Sequence, residues 1–432
     1  MIVRSARRRG LAPVLAPVLA LCTVLPLGLA GCQKEKAPEP EIPWGLPIDG
    51  PALVKLGPGD PKPSFAAAFS ARGRNLDESL AQSLSWFQKP SSKQFFPQKN
   101  GTTAEDVATW EQASAGVVAF RQILAESSSA TDFQTRIEQI FDIWQSVGKD
   151  GTDRQVLFTG YYSPEFKGSR TRSGRFQHPL HRRPADLVTD PVTGEPKGRR
   201  LADGSVVSYA TRGELARSGE LAGAELVWLE SSLDAYIIQV NGSARITMPD
   251  GSNMFVGYAG KTDRPYVGLG RSMVDAGLLT EDRLSLASIR SAYRKDPAAV
   301  EALMERNESY VFFTEYDGSN WPAGSLGVRV TEGASIATDK KIFPRGGVTL
   351  VNTRTPTISR GPESFSRFML DQDTGGAITA ADRGDLYMGI GPTAEILAGG
   401  QYFPGSLYYL ILKPEYASQY PLPEVTRGAA GR

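Results

Sequence analysis

Apolar residues recur at helical spacing three times near the start of the chain. Leu76, Leu80, Leu84 and Phe87 form one stripe, and Val107, Trp110, Val117, Phe120 and Leu124 a second. Phe133, Ile137, Ile140, Phe141 and Trp144 form the third. Each stripe predicts an amphipathic helix that buries that face. After Gly151 the period changes. Gln155 to Tyr162 reads as a strand, and Glu225 to Gly260 as several short strands with turns at Asn241-Gly242 and Asp250-Gly251. A helical interlude is expected from about Leu284 to Arg306, and a second group of strands from Ser309 to Ile411. Short, glycine-punctuated strands point to β-barrels rather than a doubly wound sheet. The fold class is therefore mainly β with N-terminal helices.

Both ends stand apart from this pattern. Arg4, Arg7, Arg8 and Arg9 precede an apolar run, Leu11 to Ala30, which ends in Leu29-Ala30-Gly31-Cys32. A basic segment, an apolar segment and a small-residue site ending in cysteine predict a lipoprotein signal peptide over 1–31, with Cys32 as the lipid-modified first residue. The run is long enough for a membrane span, but Pro13, Pro17 and Pro26 interrupt it. Residues 32–52 lack periodic apolar positions and read as a flexible tether. Residues 426–432 read as a frayed tail. Gln33 follows Cys32, which suggests sorting to the periplasmic face of the outer membrane.

Composition removes several kinds of chemistry. Without Cys22 in the leader, Cys32 is the only cysteine, so neither an intrachain disulfide nor a thiolate metal site can form. His178 and His181 are the only histidines and are expected at the surface; no metal and no cofactor are expected. The chain carries 48 basic and 47 acidic residues, and removal of the four leader arginines leaves 44 against 47. A net charge near −3 is no nucleic-acid profile. No phosphate loop and no G-x-S-x-G elbow occur. What remains is Leu370 to Gly391, with Asp371, Asp373, Asp382, Asp385 and the pair Gly375-Gly376. Carboxylates suit glycosidic cleavage, where an acid protonates the departing oxygen. A calcium loop or a solvated turn capped by aspartates fits the same composition.

Ordered patches decide between these readings. They are Thr159-Gly-Tyr-Tyr162, Tyr258-Ala-Gly-Lys261, Asn307 to Phe313, Ala334 to Asp339, Asp373 to Ile378, Asp385-Leu-Tyr387 and Gly389-Ile-Gly-Pro392. In this order the chain resembles the membrane-bound lytic murein transglycosylase A family, whose C-terminal 3D domain is named for three aspartates. Here these are Asp339, Asp373 and Asp385.

The resemblance implies a double-psi β-barrel domain plus a smaller inserted β-barrel domain, with a groove between them for the glycan strand. By it, residues 53–162 hold the helices and first part of the larger barrel, 163–261 the inserted domain, and 262–425 the remainder. It implies cleavage of the β-1,4 bond between N-acetylmuramic acid and N-acetylglucosamine without water, leaving 1,6-anhydro ends. Asp385 is implied as the single acid/base, with Asp373 and Asp339 supporting it and its pKa raised by burial or by Asp373. Thr159, Tyr161, Tyr162, Lys261, Tyr258 and Tyr387 are the implied substrate contacts, and Tyr266 and Trp321 are further stacking candidates. The chain departs from the family pattern at Thr379-Ala380, where Lys-Gly is usual, and the interval to Asp385 is about one residue longer. Asp382 is thereby a competitor for the acid. The implied partners are peptidoglycan, the membrane through Cys32, and cell-wall enzyme complexes. A non-catalytic peptidoglycan-binding scaffold is the rival reading, and a hydrolytic muramidase a third, which needs a second carboxylate.

Overall fold

The computed structural model describes residues 49–423, apart from 192, 281–283 and 377. The signal peptide, Cys32, most of the tether and the tail lie outside the described residues. The last tether positions are already docked. The Asn100 amide oxygen accepts from the backbone N–H groups of Ala52 and Leu53, at 2.9 and 2.8 Å, so ordered structure begins before the expected boundary.

The three stripes form helices α1 (Arg74–Phe87), α2 (Trp110–Glu126) and α3 (Ala130–Ile140). Two of the stripes overran their helices. Thr109 caps α2 reciprocally with Gln112, which leaves Val107 in the strand Asp106–Ala108. Phe141 and Trp144 belong to the strand Phe141–Ser146, which follows α3 without a loop. That strand is drawn into sheet pairing along its length, with Leu412 opposite Phe141 and Tyr408 opposite Gln145. Helix faces and sheet share one core. The Phe368 ring packs 5.1 Å from Phe120 and 5.4 Å from Phe133, all three essentially inaccessible to water. Burial of each such ring contributes roughly 1.5–3 kcal/mol.

Twelve strands build two barrels. In chain order they are β1 (Val156–Ser163), β2 (Glu165–Ser169), β3 (His178–His181), β4 (Glu225–Leu229), β5 (Ser243–Thr247) and β6 (Asn253–Lys261). They continue as β7 (Val311–Tyr316), β8 (Ser335–Ala337), β9 (Val348–Thr355), β10 (Glu363–Asp373), β11 (Arg383–Ile390) and β12 (Tyr402–Leu412). The larger barrel runs β12-β9-β10-β8-β11-β1 and closes where β1 pairs back onto β12. Its β8–β10 and β11–β1 pairs are parallel and the rest antiparallel, the mixed pattern of the double-psi arrangement. The smaller barrel runs β7-β6-β5-β2-β4-β3, and a bridge from Arg182 to Phe313 returns the end of β3 to β7. It encloses its own core of Leu180, Val227, Ile246, Val256 and Phe313.

The inserted barrel reaches beyond Lys261. Its last strand, β7, pairs with β6 from Phe255–Tyr316 to Lys261–Val311, across an intervening set of helices. Helix α4 (Ser232–Asn241) interrupts the stretch that was expected to be all strand. Gly242, expected in a hairpin turn, instead ends that helix at φ +76°, where a side chain would be strained. The hairpin at Asp250-Gly251 is present, with β5 and β6 in register around it.

Candidate active site

Register builds the site. Asp373 on β10 pairs with Ala337 on β8, and Ala337 pairs with Asp385 on β11. Asp385 pairs with Thr159 on β1, and Thr159 pairs with Tyr402 on β12. One row of partners thus crosses five strands. Side chains alternate between the two faces of each strand. Val156, Phe158 and Tyr162 of β1 join the large core, as do Leu386 and Met388 of β11. Thr159, Tyr161 and Ser163 therefore share the opposite, outward face with Arg383, Asp385 and Tyr387.

Asp385 is held by its Oδ1 atom. The Thr159 hydroxyl donates a short hydrogen bond to it, and Arg383 Nε lies 3.4 Å from the same oxygen. Arg383 also donates to Thr159 Oγ1 at 2.9 Å, so the hydroxyl both accepts from the guanidinium and donates to the carboxylate. Oδ2 carries none of these bonds. The Asp385 side chain keeps 18% of its surface open to water. Asp382 is only 1% exposed, so the competitor is sealed away.

The other two aspartates serve the backbone. Asp373 Oδ1 accepts from the N–H groups of Ser325 at 2.7 Å and Thr374 at 2.8 Å. Burial pushes its carboxyl upward, partly offset by those bonds. It stands two strand spacings, about 10 Å, from Asp385, with Ala337 between them. Asp339 accepts from the Lys341 N–H at 3.0 Å and anchors the turn through Phe343; burial raises its carboxyl too. Asp371 faces the interior, where it pairs with Lys340 and accepts 2.8 Å bonds from Thr338 and Tyr409.

The expected substrate contacts divide into two groups. Tyr161 lies on the outward face, its ring 5.1 Å from that of Tyr387. Its hydroxyl is buried beside Asp373 without an aligned partner, and desolvation, then Asp373, hold the phenol far above its usual range. Lys261 ends β6 of the smaller barrel, with Nζ 3.8 Å from where a Cβ on Gly376 would sit. Desolvation, then Lys341, lower its pKa. Tyr258 is 50% exposed. Tyr266 is 37% exposed and close enough to Asp385 and Arg383 to feel their charges.

Three aromatics are taken up by packing. Tyr162 faces the core side and donates to Glu395 at 2.7 Å. Tyr387, 1% exposed, donates to Ser163 at 3.0 Å. Trp321 is buried against Phe255, at 5.4 Å. Most of their surface is spent on packing, which leaves little of it facing the groove. His181, expected at the surface, is half-buried, with its Nδ1 2.8 Å from the Tyr310 hydroxyl.

Sequence reading missed Arg383 and Tyr402. The first was within reach, because it lies two residues before Asp385 and period two puts both on one face. The second becomes a neighbour only through the β1–β12 pairing, for which no local signal exists. Among the described residues, no group of three or more His, Cys, Asp or Glu side chains is placed to hold a metal ion. No described helix is long and apolar enough to cross a membrane.

Comparison with known proteins bears on the family and the fold. The MltA specific insert domain matches residues 157–314, and the 3D domain matches residues 334–411. The chain is 31% identical over 279 residues to membrane-bound lytic murein transglycosylase A of Escherichia coli (strain K12), covering 63% of this chain and 70% of that protein. It is 31% identical over 278 residues to the Vibrio cholerae protein of the same name, covering 62% and 69%. Among solved structures, a membrane-bound lytic murein transglycosylase from Agrobacterium tumefaciens matches with a TM-score of 0.67 at 24% identity, over 86% of this chain and 100% of that one. E. coli MltA with bound chitohexaose matches with a TM-score of 0.62 at 25% identity, over 87% and 100%.

Proposed function

This chain belongs to the family of membrane-bound lytic murein transglycosylase A and is a peptidoglycan lytic transglycosylase; from that premise we propose that Asp385 alone supplies both acid and base. As the acid, Asp385 passes its proton to the oxygen that links N-acetylmuramic acid to N-acetylglucosamine. The bond from that oxygen to C1 breaks, and positive charge develops on the muramic ring. The carboxylate so formed takes the proton of the C6 hydroxyl, and O6 closes on C1. The products are a free N-acetylglucosamine end and a 1,6-anhydro muramic end. Asp385 regains its proton, and no water enters.

The observation that carries this reading is the environment of one carboxyl. Oδ1 is occupied by Thr159 and Arg383, which leaves Oδ2 to give and receive the proton. Asp382 is buried and Asp373 is tied to two backbone N–H groups, so neither competes well as the proton carrier. The same facts speak against hydrolysis, which needs a second free carboxylate and room for a water. Lys261, Tyr161, Tyr258 and Tyr266 then hold the strand. Lys261 has an ammonium without an ion-pair partner among the described residues, suited to a carboxylate or sugar oxygen of the substrate. The protein works at a membrane surface, which the reading of Cys32 as a lipid anchor facing the periplasm from the outer membrane would explain.

The test is mass spectrometry of muropeptides released from purified sacculi by the full chain in detergent, beside Asp385→Asn. Anhydro-muramic products from the wild type, reduced by about a hundredfold or more in the variant, are expected. Reducing ends would mean hydrolysis. Bound sacculi with no release would mean a scaffold. Anhydro products from both proteins would move the acid elsewhere, Asp382 first.

A further inference from the structure

The row of paired residues does not stop at the candidate acid. Tyr402 opens β12 as the cross-strand partner of Thr159, and its side chain is 63% exposed. No described residue bonds its hydroxyl. Cross-strand partners project from the same face, so Tyr402 stands on the surface that carries Asp385. Two strand spacings separate them, about 10 Å. Pro404, the partner of Leu157, is also exposed and extends the same face by one more outward position.

Packing does not explain this ring. The outward aromatics on the other side of Thr159 are consumed by one another, Tyr161 against Tyr387 and Tyr387 on Ser163. Tyr402 has no such neighbour. A pyranose has an apolar C–H face and a polar rim. A tyrosine ring offers the complementary shape, an apolar face with one hydroxyl at the tip.

We propose that Tyr402 is a stacking platform for the glycan strand, on the Thr159 side of the bond that is cut. This rests on the reading of the groove as the glycan site. The ring covers one face of a sugar next to the scissile linkage, and so holds that linkage against Asp385. It acts by binding and takes no part in the proton transfers.

The test uses the full chain in detergent with peptide-free glycan strands prepared from sacculi. Tyr402→Ala is expected to lower kcat/KM for long strands by about two- to tenfold, with anhydro products unchanged in kind. Tyr402→Phe keeps the ring and is expected to stay near the wild type. Because the side chain is exposed, neither change should move the thermal midpoint. Wild-type kcat/KM in Tyr402→Ala, or an equal loss in Tyr402→Phe, would overturn the platform. Calorimetric binding of the same strands to Asp385→Asn, with and without Tyr402→Ala, decides the matter apart from catalysis. Weaker binding in the double variant supports the platform even if the wild type makes no anhydro ends, and equal binding sinks it.

Discussion

At the scale of single residues, the candidate acid is defined by what occupies one of its oxygens. Thr159 and Arg383 both reach Asp385 Oδ1, and the hydroxyl lies between guanidinium and carboxylate. Thr159→Val keeps the shape of the side chain and removes that link. A hydrogen bond to a charged group contributes about 1.5–3 kcal/mol. If the bond orients Asp385 in the transition state, kcat should fall about tenfold to a hundredfold with KM little changed. A rise in KM at constant kcat would instead make Thr159 a substrate contact. The motif around Asp385, with Leu386-Tyr387 directly after it, was legible in the sequence. The burial of Asp382, Tyr162, Tyr387 and Trp321 was not, because a tyrosine that stacks on sugar and one that fills a core have the same chemistry.

At the scale of elements, the site depends on β1 lying flat beneath helix α5 (Gly391–Gly400). Gly160 is where they meet. A Cβ there would sit 2.8 Å from Ala398 Cα, a backbone atom that cannot step aside. Thr159 and Tyr161 flank this glycine on the outward face, so the close approach on one side sets the groove surface on the other. Gly160→Ala should cost about 1–3 kcal/mol as an overpacked contact, read as a lower thermal midpoint by circular dichroism. An unchanged midpoint would mean that α5 shifts freely and does not fix β1. Strand existence was visible in the alternation of Gln155 to Tyr162. Where helices stopped was less so, since the apolar run through Phe141 and Trp144 continues past Ile140 without a break in composition.

At the scale of the whole molecule, the two barrels are joined by polar contacts as well as by chain. Arg290 lies 3.0 Å from Asp234 on α4 and 3.1 Å from Glu395 on α5, and Glu395 also accepts from Tyr162 of β1. Lys341 reaches Glu195 of the inserted region at 2.8 Å. Global stability should carry a mark of His181. Burial, partly offset by Glu225, lowers its pKa to about 4, against about 6.5 in an unfolded chain. Between these values the unfolded state binds a proton that the folded state refuses, so stability falls as pH drops through that window and levels off below it. The loss approaches roughly 3 kcal/mol, and His181→Gln should flatten this part of a urea-midpoint profile. A profile that keeps its slope in the variant would assign the effect to other groups. The amino-acid sequence by itself determined the barrel class, the helical faces, the three aspartates and the family, because periodicity and local motifs record which residues meet the core and which chemistry is on offer. Only the tertiary structure decided that Asp373, Ala337, Asp385, Thr159 and Tyr402 form one row. They come from five strands spread over 244 positions, and register between distant strands is set by barrel closure and twist, which no local stretch of chain contains.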